Sequence, residues 1–341
     1  MAQSATKKEI RLGLIGLSMG FYAVTYVREA ASLSGVKVVA ICDLGKPSEY
    51  IEACTGLTSE NLAEELGVPV VSNLDDLFNK GVDAVIIASE IGEHADHVVA
   101  SLEAGAHVFC AKPITVWNSH MQRILKAAAR SHRVVLPGQP ARYDDGVQEV
   151  VRAVHSGKIG KPLLVRIFVQ HEAMSQAWNR DAIRGGGAFS EFGYYCTDFA
   201  YWITKERPLE VFGYGENFLN PDMAFWDNVV MLAKLPSGTL VSMDLSATIK
   251  WQYPWFSIEV IGAKGIARMP GHNYASIIHK EETVLGTIRY APMHLREIRH
   301  FIRCIRGEEQ PLISLDDAKA AVEMLEALRE SIISGEPVRL E

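Results

Sequence analysis

Short apolar runs alternate with amphipathic stretches through the first 140 or so residues. An apolar run of four to eight residues between turn residues predicts a buried strand, and apolar positions three or four apart predict a helix. We predict strands at Ile10–Ile15, Val36–Ile41, Val70–Val71, Val82–Ser89, His107–Ala111 and Arg133–Leu136. We predict helices at Tyr22–Leu33, Leu74–Asn79, His94–Ala104 and Asn118–Ser131. This alternation predicts a doubly wound parallel sheet, a Rossmann domain over residues 1–138.

The pattern changes after residue 138, where strands dominate. Predicted strands are Leu163–Gln170, Leu209–Tyr214, Val229–Leu235, Thr239–Thr248 and Phe256–Ile261. Predicted helices are Tyr143–His155, Gly193–Ile203, His294–Arg306 and Asp316–Ser334. Residues 139–341 are therefore expected to form an α+β domain with an open, mostly antiparallel sheet. Such a sheet commonly shows one face to water or to a partner, so we expect a homodimer or homotetramer through it.

Composition restricts the class of protein. A chain of 341 residues is long enough for two domains. The net charge of -7 argues against a nucleic-acid or anionic membrane partner, and no apolar run is long enough to span a bilayer. The first nine residues lack the apolar core of a signal peptide. The five cysteines are scattered without a C-x-x-C pair, which favours free thiols in a reducing cytoplasm and no metal site.

The first strand leads into a glycine turn, Gly16-Leu17-Ser18-Met19-Gly20, and then a helix. In such a unit the turn amides and the helix N-terminus hold a pyrophosphate. Asp43 follows the second strand, 23 residues after Gly20, where an acid accepts from a ribose 2'-hydroxyl. Because Asp43 would repel a 2'-phosphate, we expect NAD as the cofactor in preference to NADP.

The glycine pattern departs from the dinucleotide fingerprint. G-x-G-x-x-G would place glycines at 16, 18 and 21, but Ser18 and Phe21 stand at the second and third places. Gly20 comes one residue early. A tight strand-to-helix turn without a ligand therefore stays open as the alternative.

Lys112 lies at the end of the apolar run within residues 105–115, and Pro113 follows it. The residue before a proline is pushed out of the helical region, so Lys112 is expected to be extended at a strand end. The carboxyl ends of strands are where open parallel sheets bind ligands. The alternative is a solvated lysine.

Several segments together resemble one family, the Gfo/Idh/MocA oxidoreductases, named for glucose-fructose oxidoreductase and inositol dehydrogenase. These segments are the strand-glycine-helix start, residues 104–108 leading to Lys112-Pro113, residues 156–162, the stretch Gly185-Gly186-Gly187-Ala188-Phe189, and residues 334–338. The resemblance covers essentially the whole chain. It implies a Rossmann domain followed by an open sheet, with NAD(P) and substrate between them. It also implies hydride transfer between a sugar or polyol and nicotinamide.

The resemblance assigns catalytic positions to Lys112, Glu191 and Tyr195. Lys112 would hold and polarise the reacting oxygen. Tyr195 stands where most members have histidine, and a phenol beside a lysine cation can relay a proton. Glu191 replaces the family aspartate and would orient the substrate or the tyrosine. Residues four apart share one helix face, so Glu191 and Tyr195 can point the same way. The alternative for Tyr195 is an amphipathic core tyrosine.

Further positions follow from the same resemblance. Ser89, His94, Lys112 and Gln139 are predicted to contact the cofactor, and Arg142, Trp178 and Arg180 the substrate, together with Lys112, Glu191 and Tyr195. His94 has a second interpretation as the start of a helix. The family glutamate before the lysine is Ala111 here, and the usual Thr-Pro is Ser89-Glu90, with Glu90 either near the cofactor or in solvent. The aromatic segment at residues 250–255 favours a subunit interface over a sugar-binding surface.

Three functions are compatible with these residues. The first is an NAD-dependent dehydrogenase that acts on a hydroxyl of a small carbohydrate, polyol or sugar acid. The second is a redox-neutral, NAD-retaining glycosidase-like enzyme, for which the departures at Ala111 and Tyr195 leave room. The third is a non-catalytic sugar or NAD sensor of the same fold. Retention of Lys112 favours the dehydrogenase.

Overall fold

The computed structural model describes residues 9–172, 175–249, 255–271, 274–279, 281–285 and 292–340. Most of the aromatic segment, residues 250–254, lies outside the described residues. The chain forms two compact units. The first unit comprises Met1–Ile114, Gln122–Gly138 and His294–Ser314, and the second comprises Thr115–Met121, Gln139–Met293 and Leu315–Glu341. The predicted division into a domain of residues 1–138 and a domain of residues 139–341 stays a prediction.

Residues 9–138 contain the predicted alternation of strands and helices. The strands are β1 (Ile10–Ile15), β2 (Val36–Cys42), β3 (Val70–Val71), β4 (Ala84–Ile87), β5 (His107–Cys110) and β6 (Val135–Pro137). The helices are α1 (Phe21–Ser32), α2 (Ser48–Thr55), α3 (Ser59–Leu66), α4 (Leu74–Phe78), α5 (His94–Glu103) and α6 (Asn118–Ser131). Helices α2 and α3 were not predicted from the sequence.

The first sheet has the strand order β3-β2-β1-β4-β5-β6, and all its pairings are parallel. Its central strands are apolar on both faces: Leu14 and Ile86 on one face, and Ile15 and Ile87 on the other, have no exposed surface. This is the pattern of a parallel sheet covered on both sides by helices. The strand order reverses between β1 and β4, which is where doubly wound sheets bind ligands. The predicted fold class is confirmed for this unit.

The rest of the chain is built around a larger sheet. Its strands are β7 (Pro162–Gln170), β8 (Glu210–Glu216), β9 (Asn228–Lys234), β10 (Leu240–Ser246), β11 (Phe256–Gly262), β12 (Ile266–Gly271), β13 (Tyr274–His279), β14 (Glu281–Leu285) and β15 (Val338–Arg339). Its helices are α7 (Asp145–His155), α8 (Ala177–Arg180), α9 (Gly187–Thr204) and α11 (Leu315–Ser334), while α10 (Met293–Ile305) lies almost wholly in the first unit. A short 3-10 helix covers Pro140–Tyr143.

This second sheet has the order β14-β13-β12-β11-β7-β10-β9-β8-β15. Only the β7–β10 pairing is parallel among the described pairings, so the predicted mostly antiparallel sheet is confirmed. Side chains alternate across it: Val229, Met231 and Ala233 of β9 are buried, whereas Val230 and Leu232 are exposed. Helix α9 begins at Gly187, six residues before the predicted start. No helix in the part of the chain described here is long and apolar enough to cross a membrane.

Candidate active site

The turn after β1 is built around two glycines in the left-handed region. Gly16 has φ of 76° and Gly20 has φ of 56°. A Cβ atom at Gly16 would lie 2.5 Å from Ser89 Cα, and one at Gly20 would lie 2.4 Å from the carbonyl oxygen of Cys54. Only glycine fits such a close backbone approach at positive φ. The residues between them, Leu17, Ser18 and Met19, are buried, and α1 begins at Phe21.

Asp43 directly follows β2, as the sequence predicts. Its Oδ1 accepts a hydrogen bond from Gly45 N at 2.9 Å, and its Oδ2 accepts one from Ser59 Oγ at 3.2 Å. These contacts fix the carboxylate at the carboxyl edge of the parallel sheet. Its contact with a ribose stays a prediction.

The His94 side chain lies between the segment after β4 and the segment that contains Lys112 and Pro113. Its Nδ1 lies 2.9 Å from the carbonyl oxygen of Pro113, and its Nε2 lies 3.1 Å from that of Ser89. Burial lowers the pKa of the imidazole to about 4, so the ring is neutral at physiological pH. A neutral ring carries one N–H and donates to one of these carbonyls at a time. His94 is also the first residue of α5, which agrees with the second of its two interpretations.

Lys112 lies two residues beyond the end of β5, and only 1% of its surface is exposed. The backbone beside it is closely packed, because Gly138 N donates to Cys110 O at 2.7 Å and a Cβ at Gly138 would lie 3.0 Å from Lys112 N. A lysine is rarely so buried unless its ammonium has polar partners. The alternative interpretation of Lys112 as a solvated lysine is therefore wrong.

Helix α9 carries Glu191 and Tyr195, four residues apart, and both are buried. The Tyr195 ring packs among aromatic rings, with centroids 5.3 Å from Trp255 and 6.4 Å from Phe256. Such packing fixes the ring whether or not its hydroxyl takes part in chemistry. Tyr194 is equally buried, so burial alone does not distinguish the two tyrosines.

The segment before α9 holds Trp178 and Arg180. Arg180 Nε donates to Asp222 Oδ2 at 3.1 Å, and its Nη2 pairs with the other oxygen of that carboxylate. Among the described residues, Trp178 Nε1, Asn179 Oδ1 and Ser190 Oγ are buried and have no hydrogen-bond partner. Such atoms are rare in native structures and call for a specific explanation.

Asn179 and Ser190 were not among the site residues predicted from the sequence. A Cβ at Gly185 would lie 2.4 Å from Asn179 Cα, and one at Gly186 would lie 2.2 Å from Ser190 Oγ. The triple glycine therefore lets the chain pass directly against both residues. In the sequence, only their position beside Trp178 and the triple glycine distinguishes these two residues. Asparagine and serine are common in loops, so their residue types gave no further indication.

Gln139 and Arg142 are also fully buried in the second unit. The Arg142 guanidinium is paired with Asp198, and Asp317 Oδ2 lies 3.5 Å from its Nη1. Burial opposes the charge of Arg142, but the two carboxylates more than compensate, and the pKa of the guanidinium lies above its ordinary value. Substrate contact by Arg142 and cofactor contact by Gln139 stay predictions.

Comparisons with known proteins agree with this fold. A model described as an oxidoreductase family with an NAD-binding Rossmann fold matches residues 10–139, and the GFO/IDH/MocA C-terminal domain matches residues 147–268. The chain belongs to the Gfo/Idh/MocA oxidoreductase family. The predicted resemblance is thus confirmed, and with it an enzyme class that binds NAD.

Two inositol dehydrogenases match this Gfo/Idh/MocA protein over nearly its full length. It is 28% identical to a myo-inositol 2-dehydrogenase of Thermotoga maritima, over 97% of this chain and 99% of that one. It is 24% identical to a scyllo-inositol 2-dehydrogenase (NAD(+)) of Bacillus subtilis, over 98% and 97%. An oxidoreductase from Agrobacterium radiobacter, solved with NAD+, L-tartaric acid and magnesium, has the same fold with a TM-score of 0.81 and 19% identity, over 97% and 98% of the two chains.

The first unit of this Gfo/Idh/MocA protein fits a dinucleotide. No side chain fits at Gly16 or Gly20, so the turn between β1 and α1 presents its backbone at these two positions. Backbone amides at such a turn suit a pyrophosphate. Gly16-Leu17-Ser18-Met19-Gly20 would hold the phosphates, and Asp43 would hold a ribose. NAD, when bound, would supply the nicotinamide that exchanges a hydride with the substrate.

Proposed function

We propose that this protein is an NAD-dependent dehydrogenase that oxidises a secondary hydroxyl of a cyclitol or a closely related polyol. The observation that carries the proposal is the burial of Lys112 just beyond β5 in an NAD-binding Rossmann unit. The inositol substrates of the two relatives support a cyclitol. Oxidation of such a hydroxyl moves a hydride from carbon to NAD and a proton from oxygen to a base.

Three side chains are assigned to the reaction. The Nζ atom of Lys112 binds the reacting oxygen and stabilises the negative charge that develops there. The hydroxyl oxygen of Tyr195 relays the proton, and its ring is held in place by Trp255 and Phe256. Glu191, one helical turn earlier, orients the substrate through its carboxylate. Gln139, Ser89 and His94 are assigned to the cofactor side, and Arg142, Trp178 and Arg180 to the substrate side.

We also propose that the exposed face of the second sheet joins copies of this chain in a homodimer or homotetramer. Its apolar side chains Tyr214, Val230, Leu232 and Leu240 are each about half exposed or more. Contiguous apolar surface of this kind is typical of protein interfaces. A cytoplasmic location is proposed as well, on the support of the free thiols Cys42, Cys110, Cys196 and Cys304.

A redox-neutral, NAD-retaining enzyme is the second candidate, favoured by Ala111 in place of the family glutamate. One experiment separates the two functions. The purified protein is incubated with NAD and a panel of cyclitols, sugars, sugar acids and glycosides, and both NADH and sugar products are measured. NADH formed in proportion to the oxidised product supports the dehydrogenase. Free sugar from a glycoside without net NADH supports the second candidate.

A further inference from the structure

We propose that Glu90 and Glu93 set the cofactor preference of this protein, because they sequester Lys46 and so prevent it from binding a 2'-phosphate. This inference rests on the proposed NAD-dependent function and adds a selectivity mechanism to it. It involves only residues of the first unit.

Lys46 is the basic residue closest in sequence to Asp43, the carboxylate assigned to the ribose. It lies three residues after Asp43, and its backbone N–H donates to the Asp43 carbonyl at 3.3 Å. A cation near the end of the second strand is the feature that accommodates the 2'-phosphate of NADP in Rossmann domains. By position alone, Lys46 would therefore favour NADP and oppose the effect of Asp43.

The structure places the Lys46 ammonium between two carboxylates from beyond β4. Its Nζ lies 3.3 Å from Glu90 Oε1 and 2.9 Å from Glu93 Oε1. Lys46 is 26% exposed, whereas only 2% of the Glu90 side chain is exposed. Burial opposes the charge on Lys46, but the two glutamates more than compensate, and the pKa of the ammonium is raised.

Glu90 is itself held against the glycine turn. Tyr50 Oη donates to Glu90 Oε1 at 2.7 Å, and the same hydroxyl lies 3.1 Å from Ser18 Oγ. This chain of contacts joins the glycine turn, α2 and the residue after Ser89. Glu90 and Glu93 thus contribute two negative charges to one ammonium, and the cluster keeps a net negative charge. A ligand that brings a further phosphate meets net repulsion there.

The test is the binding of NADP+ and NAD+ by isothermal titration at low ionic strength, without substrate. In Glu90→Gln/Glu93→Gln, both side chains keep their size and hydrogen-bonding oxygen but lose their charge. We expect the ratio of the Kd for NADP+ to the Kd for NAD+ to fall roughly tenfold, the size of a partly screened charge contact. Adding Lys46→Met to this double variant should reverse most of this fall, because the cation that the substitutions release is then absent.

Two further variants control for the fold and for bulk charge. Glu93 is a third exposed, so Glu93→Gln alone should fold and give a smaller fall in the ratio. Glu49→Gln removes an exposed carboxylate from α2 and should leave the ratio unchanged.

An unchanged ratio in the double variant, or an equally large fall in the ratio after Lys46→Met is added, would overturn the inference. Failure of the wild-type protein to bind either nucleotide would instead refute the proposed function itself.

Discussion

The Arg142 guanidinium donates to both carboxylate oxygens of Asp198, at 3.0 Å from Nε to Oδ2 and 2.5 Å from Nη2 to Oδ1, and neither side chain has exposed surface. Arg142 belongs to the short 3-10 helix at Pro140–Tyr143, and Asp198 lies three residues after Tyr195 on α9. The Trp202 ring packs on the guanidinium, with its centroid 4.9 Å from Cζ. The pair therefore fixes α9, with Glu191 and Tyr195, to the segment that follows Gln139.

Asp198→Asn should strongly destabilise the protein. Removing one partner of a buried ion pair costs about 3–5 kcal/mol, and Asp317 Oδ2, 3.5 Å from Arg142 Nη1, compensates only part of the remaining charge. The measurement is the free energy of unfolding in urea. The matched control is Glu210→Gln, which breaks the exposed pair between Glu210 and Arg339 and should cost about 0.5 kcal/mol or less. Equal effects of the two substitutions would contradict the assigned role of Asp198.

The stability of the first unit should depend on pH through His94. Its pKa is about 4 in the folded protein and about 6.5 in the unfolded chain, so the unfolded state binds the proton first as the pH falls. The stability that depends on neutral His94 is fully present above about pH 6.5 and is lost as the pH falls towards 4. The free energy of unfolding falls by about 3 kcal/mol at most over this range. Unfolding free energies at several pH values should show a shallower dependence in His94→Gln. Because His97 is unchanged in both proteins, parallel curves would exclude His94 as the cause.

Gly16→Ala should abolish tight NAD binding. The new methyl group would adopt a strained left-handed conformation and would overlap the backbone of Ser89 at 2.5 Å. We expect at least a hundredfold weaker NAD affinity by titration. Gly157→Ala is the matched control, because Gly157 has φ of 70° but nothing within 4 Å of the added atom. That variant should lose about 1 kcal/mol of stability and keep its NAD affinity. Equal NAD affinities in the two variants would refute the assignment of the glycine turn to the phosphates of NAD.

Tyr195→Phe should lower the turnover number far more than it changes KM. The phenylalanine ring keeps the packing against Trp255 and Phe256, while the hydroxyl that relays the proton is removed. Steady-state kinetics on the substrate found with the panel give the two parameters separately. Full activity of this variant would mean that Glu191 or a water chain relays the proton. Glu191→Gln would then be the variant to measure.

Local sequence patterns were sufficient to predict most of the fold. The apolar runs around Leu12 and Ile86 are buried strands because a parallel sheet covered on both faces needs them. Helices α2 and α3 were missed although their end signals are present: Gly56 and Gly67 end them in the left-handed conformation, and the Thr58 side chain caps α3. Each helix has only eight residues, too few for a clear apolar period.

The candidate site depended much more on contacts between distant residues. The glycine turn, Asp43 and Lys112 were recognisable because each follows a strand in the expected order. Glu90 was noticed, but its contacts with Lys46 and Tyr50 span at least 40 residues of sequence. No local pattern encodes such pairs. The same holds for Arg142 and Asp198, which are 56 residues apart.

Lys112→Met tests the central claim most directly. The methionine side chain has similar length and apolar volume but no charge to bind the reacting oxygen. NADH formation should fall below detection on the substrate that the wild-type protein oxidises, while NAD affinity measured by titration stays within a few-fold. A Lys112→Met protein that still forms NADH at a rate close to wild type would contradict the catalytic assignment.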